Sequence, residues 1–309
     1  MSSLRTALCL AALSLAAVGC DTDGDGALPD RPGLAVAVSD ASVAASTDRL
    51  TAALRAAPPV SVVADVDHAA NAATVGLDLR PTRVVLFGNP ALGTPLMQIN
   101  PQAGLDLPQN VLVYQDASSR TVVAYNTADY LAQRHGVGAA QTLDDIAGAL
   151  RMFAGVAAGD DGVSPVGGGG AVSRDEGVVT TVSANDFAAT YDRLRTAIAG
   201  NENLTIVAEL DHQANAASVG LELGPTRLLV FGNPALGTPL MQRGQTVGID
   251  LPQKMLVYQD AAGTVRVAYN DPAYLADRHG LSGAGDVTAT VSAALQALTA
   301  TATSGDSSP

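Results

Sequence analysis

The chain contains four histidines, and they fall into two matched pairs, His68 with His212 and His135 with His279. His68 follows Asp67 and precedes Asn71; His212 follows Asp211 and precedes Asn215. On a helix, positions i and i+3 share a face, so His68 and Asn71 would be presented together beside the Asp67 carboxylate. An imidazole next to a carboxylate can serve as a general acid or base, or hold a ligand. The plain alternative is an aspartate that caps a helix and a histidine that satisfies a local hydrogen bond.

A second set of polar residues lies in the stretch FGNPALGTPLMQ, which occupies residues 87–98 and returns unaltered at 231–242. Gly88 permits a tight turn, Asn89 is a good N-cap, and Pro90 suits the first helical position. Gly93 interrupts the segment, and Thr94-Pro95 can cap a second short turn that carries Gln98. The expectation is a strand running into two helix N-termini, whose free N–H groups and partial positive charge can hold an anion or carboxylate. Ordinary turn chemistry is the competing account of Asn-Pro with glycine. The expected ligand site therefore gathers Asp67, His68 and Asn71 with Asn89, Thr94 and Gln98. In the second copy it gathers Asp211, His212 and Asn215 with Asn233, Thr238 and Gln242. Arg83 and Arg227 precede the next strand, where each would pair with Asp67 or Asp211 or meet an anionic ligand.

A soft metal site is the remaining option for these side chains. It would draw on His68, Met97 and His135, repeated as His212, Met241 and His279. No compact ligand motif links them, and Arg134-His135-Gly136 reads instead as a helix C-terminus with its glycine stop. No metal or other cofactor is therefore expected. The familiar nucleophile-elbow, phosphate-loop, zinc-protease and paired-cysteine motifs are missing, which lowers the expectation of an enzyme.

These residues need a scaffold, and the sequence supplies it twice. Residues 63–137 align with 207–281 without a gap, 144 residues later. The period is too long for a solenoid repeat, so each copy should own a core. In each copy a strand (Leu34–Ser39; 177–183) precedes a helix, and in the second copy Phe187, Tyr191, Leu194 and Ile198 fall on one helical face capped by Asn185 or Asp186. Val60, Val62, Ala64 and Val66 alternate as a half-buried strand, and Asp67 then caps a short helix. The apolar run 83–87 suits a strand covered on both faces. The strands around Tyr114 and Tyr125 form a hairpin across 117–120, and helices at 128–135 and about 143–156 close the copy. The fold class is α+β: two tandem copies of a two-layer sandwich with a mixed or antiparallel sheet. The copies are expected to pack on each other.

The expected boundaries are a signal peptide at 1–19, an acidic tether at 20–33, the first copy at 34–156, a Gly-rich linker at 157–176, the second copy at 177–301 and a disordered tail at 302–309. The signal reading rests on a basic MSSLR start, an apolar run too short to span a bilayer comfortably, and AVGC ending at Cys20. That pattern resembles a bacterial lipoprotein signal, with Cys20 as the lipidated residue. It predicts an exported protein facing the periplasm or cell surface, held to the membrane only through lipid. With 17 Lys and Arg against 30 Asp and Glu, the net charge of −13 argues against nucleic acid and anionic lipid surfaces as partners.

Several motifs recur in order: DHAANA, RPTR before an apolar strand, FGNP with GTPLMQ, LDLP with VLVYQD, and YN with YL and RHG. Together they resemble the bacterial and archaeal domain-of-unknown-function family numbered 302, over nearly all of each copy. Copy one departs from the family pattern at Thr127-Ala128, where copy two has Asp271-Pro272. The resemblance implies a compact α+β domain and carries no reaction. The leading expectation is a lipid-anchored module that binds a small polar or anionic ligand at two similar sites. A scaffold formed as an intramolecular pseudo-dimer comes next, then a hydrolase-like enzyme using Asp67 and His68.

Overall fold

The structure, a computed structural model, describes residues 27–159 and 166–305. Cys20 and the signal segment lie outside the described residues.

The first copy runs β1 (Leu34–Ser39), α1 (Val43–Arg55), β2 (Ser61–Asp67), α2 (His68–Thr74), β3 (Thr82–Gly88), α3 (Pro90–Ile99), a 3₁₀ turn (Pro101–Leu105), β4 (Gln109–Gln115), β5 (Thr121–Asn126), α4 (Ala128–His135) and α5 (Leu143–Ala158). After a two-residue strand β6 (Val166–Gly167), the second copy repeats the order. It comprises β7 (Val178–Val182), α6 (Phe187–Ala199), β8 (Thr205–Asp211), α7 (His212–Ser218), β9 (Thr226–Gly232), α8 (Pro234–Met241), a 3₁₀ turn (Gln245–Ile249), β10 (Gln253–Gln259), β11 (Val265–Asn270), α9 (Pro272–Arg278) and α10 (Gly285–Thr303). The sheets are ordered β2-β3-β4-β5-β1-β6 and β7-β11-β10-β9-β8, with antiparallel neighbours throughout.

Strand alternation divides each sheet into two buried faces. Val85, Phe87, Val111, Val113 and Val123 meet Leu50, Leu54, Leu150 and Phe153 of the flanking helices α1 and α5. Their neighbours Val84, Leu86, Leu112, Tyr114 and Val122 form a shared core with Leu228, Val230, Leu256 and Tyr258 of the other sheet. The second copy covers its outer face with Tyr191, Leu194 and Ile198 of α6 and Leu295 and Leu298 of α10. The layers thus run helix, sheet, sheet, helix. Double burial is why β3 and β4 read as continuous apolar runs.

Three local readings need correction. The repeated segment forms one helix through Pro95, not two: Leu92 and Gly93 N–H both bond the Asn89 carbonyl. Pro95 lacks only its own amide donor, and the helix continues past it to Ile99. Helix α5 reaches Ala158 before Gly159 ends it at φ +85°, so the linker begins later than 157. Val166–Gly167 of the linker extends the first sheet beside β1, and Val172 N–H bonds the Gln133 side chain. Finally, α10 extends into the expected tail, to Thr303. The Thr299 and Thr303 hydroxyls bond carbonyls one turn back, which lets a threonine-rich end stay helical.

Candidate functional site

Asp67 ends β2 and caps α2, its Oδ1 accepting the Ala70 N–H at 2.8 Å. His68 is thereby the first residue of α2. It reaches across to the other copy, where Nε2 lies 3.2 Å from the Gly248 carbonyl. Asp211 caps α7 in the same way, and His212 packs against Gly104 of the first copy. Helix α2 packs on α8, and α3 on α7.

The expected cluster is therefore assembled crosswise. His212, Asp211 and Asn215 share a cavity of about 320 Å³ with Asn89, Thr94 and Met97. His68, Asp67 and Asn71 share one of about 640 Å³ with Asn233, Thr238 and Met241. His68 does not meet Asn89, and His212 does not meet Asn233. The remaining walls are mainly apolar: Phe87, Leu92, Leu107 and Leu150 in the first cavity, and Phe231, Leu236, Leu251 and Leu295 in the second.

Each cavity keeps an unsatisfied polar group. Thr94 Oγ1 and Thr238 Oγ1 are buried with no hydrogen-bond partner. Buried polar atoms of this kind usually find partners, so their location on a cavity wall is informative. Burial pushes the pKa of His68 and of His212 down to about 4, against the opposing pull of nearby backbone carbonyls and the neighbouring aspartate. Both imidazoles are neutral at pH 7.

The helix starts cannot serve as the expected anion site. In α3 the first turn is saturated: Pro90 has no N–H, Ala91 N–H bonds Asn89 Oδ1, and Leu92 and Gly93 N–H bond the Asn89 carbonyl. In α8, Ala235, Leu236 and Gly237 repeat these bonds to Asn233. No Lys or Arg is among the described residues lining either cavity.

Other expected site residues do different work. Gln98 and Gln242 leave the cavities and donate to the Glu222 and Asp78 carbonyls of the opposite copy, at 2.8 and 2.7 Å. Arg227 pairs with Asp211 at 2.8 Å as expected, but Arg83 pairs with Asp65. The reason is local: Glu209, the counterpart of Asp65, is engaged by Arg195 and Tyr191, where the first copy has Thr51 and Thr47. The metal sets are not assembled either. His135 and His279 are sealed away, with Nε2 2.8 Å from Asp106 Oδ2 and 2.7 Å from Asp250 Oδ2 respectively. They share no cavity with His68 or His212.

Sequence reasoning passed over the centre of the molecule. Arg134 bonds Asp106 at 2.6 Å and the Asn270 side chain of the other copy at 2.8 Å. Arg278 bonds Asp250 at 2.9 Å and Asn126 at 2.7 Å, and its guanidinium lies 4.1 Å from the Tyr130 ring centroid. Burial opposes ionisation of Asp106 and Asp250, yet Arg134 and Arg278, with hydrogen bonds from the histidines, outweigh it and hold both carboxyls well below their ordinary range. The signal available was the recurrence of LDLP, YN and RHG in both copies. Lone Asp, Asn and Arg letters do not disclose that they meet.

The family model described as "Domain of unknown function DUF302" matches residues 34–153 and 179–298, the two structural copies. The chain belongs to the DUF302 family. Two curated relatives of this DUF302 protein are named "Fluoride-specific ion channel FluC 1", from Brucella suis and Brucella abortus. Each is 43% identical over 113 residues, or 37% of this chain, and the match covers 44% and 42% of the respective channel chains. The chain thus spans less than half the length of these relatives. Among the described residues, no helix is long and apolar enough to cross a membrane. A solved DUF302 protein from Bacillus stearothermophilus is 20% identical, with a TM-score of 0.38, and covers 41% of this chain and 98% of its own.

Proposed function

We propose that this DUF302 protein is a two-site binding module, and that each site takes a small, mainly apolar molecule with a neutral or cationic hydrogen-bonding end. The observation that carries the reading is the unpartnered hydroxyls of Thr94 and Thr238, buried residues that line cavities whose walls are mainly apolar. An apolar body would be held by area burial, and its polar end would complete the orphaned hydroxyl. The saturated helix starts and the absence of cations on the walls count against an anion. An acid–base role is also disfavoured: Asp67 Oδ1 is committed to its cap, and His68 faces a backbone carbonyl.

Export and attachment through a lipidated Cys20 belong to the same proposal, and rest on the N-terminal sequence alone.

A thermal-shift panel of medium-chain alkanols, alkylamines and alkanoates, with fluoride as a comparison, tests the binding reading. At a hundredfold excess over Kd, a true ligand adds about 2.7 kcal/mol per site. Alkanols or alkylamines should raise Tm in the wild type and much less in Thr94→Val/Thr238→Val. A flat response to all members would end the proposal and leave the scaffold reading.

A further inference from the structure

We propose that the two cavities accept ligands of different size, and that Phe153 sets the smaller limit; this rests on the binding reading above. The cavities are equivalent by position yet differ about twofold, roughly 320 Å³ beside His212 and 640 Å³ beside His68.

The difference is read from the walls. Phe87 and Phe231 are equivalent, and each lines one cavity. On the helix that closes each cavity, Ile146, Leu150 and Phe153 of α5 stand where α10 has Val291, Leu295 and Leu298. Two of these three positions are smaller in the second copy. The β2–β8 side changes the other way, with Val60 and Ser61 replaced by Leu204 and Thr205. The larger cavity therefore owes its room to the helix wall and to the facing copy, where Asp65 and Val66 stand in place of Glu209 and Leu210.

Phe153 is the bulkiest of the changes. Its ring meets Phe87 edge-on, with centroids 5.6 Å apart and planes at 73°, and it is 2% exposed. An aromatic pair in this geometry is held in place, so it bounds the cavity instead of yielding to a ligand. Leu298, which has no ring, lines the other cavity at the equivalent place.

Calorimetric titration of the full chain with hexan-1-ol and decan-1-ol tests this, with far-UV circular dichroism confirming the fold of each variant. Hexan-1-ol should bind at two sites per chain in the wild type, and decan-1-ol at one. Phe153→Leu should raise the decan-1-ol count to two. Leu298→Phe should abolish decan-1-ol binding and keep hexan-1-ol. Two decan-1-ol sites in the wild type, or an unchanged count of one in Phe153→Leu, would overturn the size limit while leaving the binding reading intact. Failure of both alkanols to bind the wild type overturns the binding reading and this inference with it.

Discussion

The hydroxyls of Tyr130 and Tyr274 lie 3.2 Å apart, and the two residues are counterparts 144 positions apart. Equivalent residues touch each other only on the axis that relates their copies, so this pair marks an internal two-fold. The contacts around it come in exchanged pairs: Arg134 to Asn270 and Arg278 to Asn126, Gln98 to Glu222 and Gln242 to Asp78. The interface has the isologous form of a symmetric homodimer, within one chain.

Arg134 is fully buried against Asp106. Breaking a buried pair by removing one partner typically costs about 3–5 kcal/mol, because the remaining charge is left uncompensated. Arg134→Met should lower the urea midpoint accordingly. Arg134→Met/Asp106→Asn should recover part of the loss, and strict additivity in the double variant would refute coupling of the pair.

Stability should fall as pH drops from 6.5 toward 4. The folded-state pKa of His68 and of His212 is lowered to about 4 by burial, so across this window the unfolded chain binds protons that the folded chain refuses. Each contributes a slope of about 1.4 kcal/mol per pH unit. His279 is lowered in the same direction, again by burial. Below pH 4 the depressed Asp106 and Asp250 carboxyls extend the loss to more acid pH. Denaturation at pH 7, 6 and 5 should show a clearly shallower decline in His68→Gln/His212→Gln; an equal decline would contradict the burial argument.

Thr94→Val and Thr238→Val each remove a buried hydroxyl that has no partner. Leaving such a group unsatisfied costs about 1–3 kcal/mol, so each variant should be as stable as the wild type or more so. Destabilisation by more than about 1 kcal/mol, measured by urea unfolding, would mean that the hydroxyl is satisfied in the apo protein.

Residues 27–159, expressed alone, would expose the Leu34, Val36, Leu86 and Leu112 face that the second sheet covers. An apolar face of this kind demands a partner. Light scattering should find a dimer, with His68 of one copy beside Thr94 of its mate. A stable, folded monomer would count against the shared core.

Much of the fold was legible in the sequence. Strand alternation and capping residues placed β1, α2 and α4 correctly, with Asp67 and Asp186 as caps. Pro95 misled because proline usually breaks a helix, whereas here only one amide is missing. The site was half legible. His68, Asn71, Asn89 and Thr94 were all singled out, and each lines a cavity, but His68 and Thr94 line different ones. Sequence periodicity reports which face is buried and carries no information on which copy covers it. The roles of Gln98, Arg134 and Asn270 were hidden for the same reason.

The crosswise cavities have a consequence for inheritance. Neither copy can decay without removing a wall from both cavities, so under the proposed binding function selection on one ligand maintains the whole duplication. Two identical subunits would also be bound to identical sites, since every mutation would strike both. Fusion lifts that constraint: the α5 and α10 walls are separately encoded, and one can change shape while the other stays as it was.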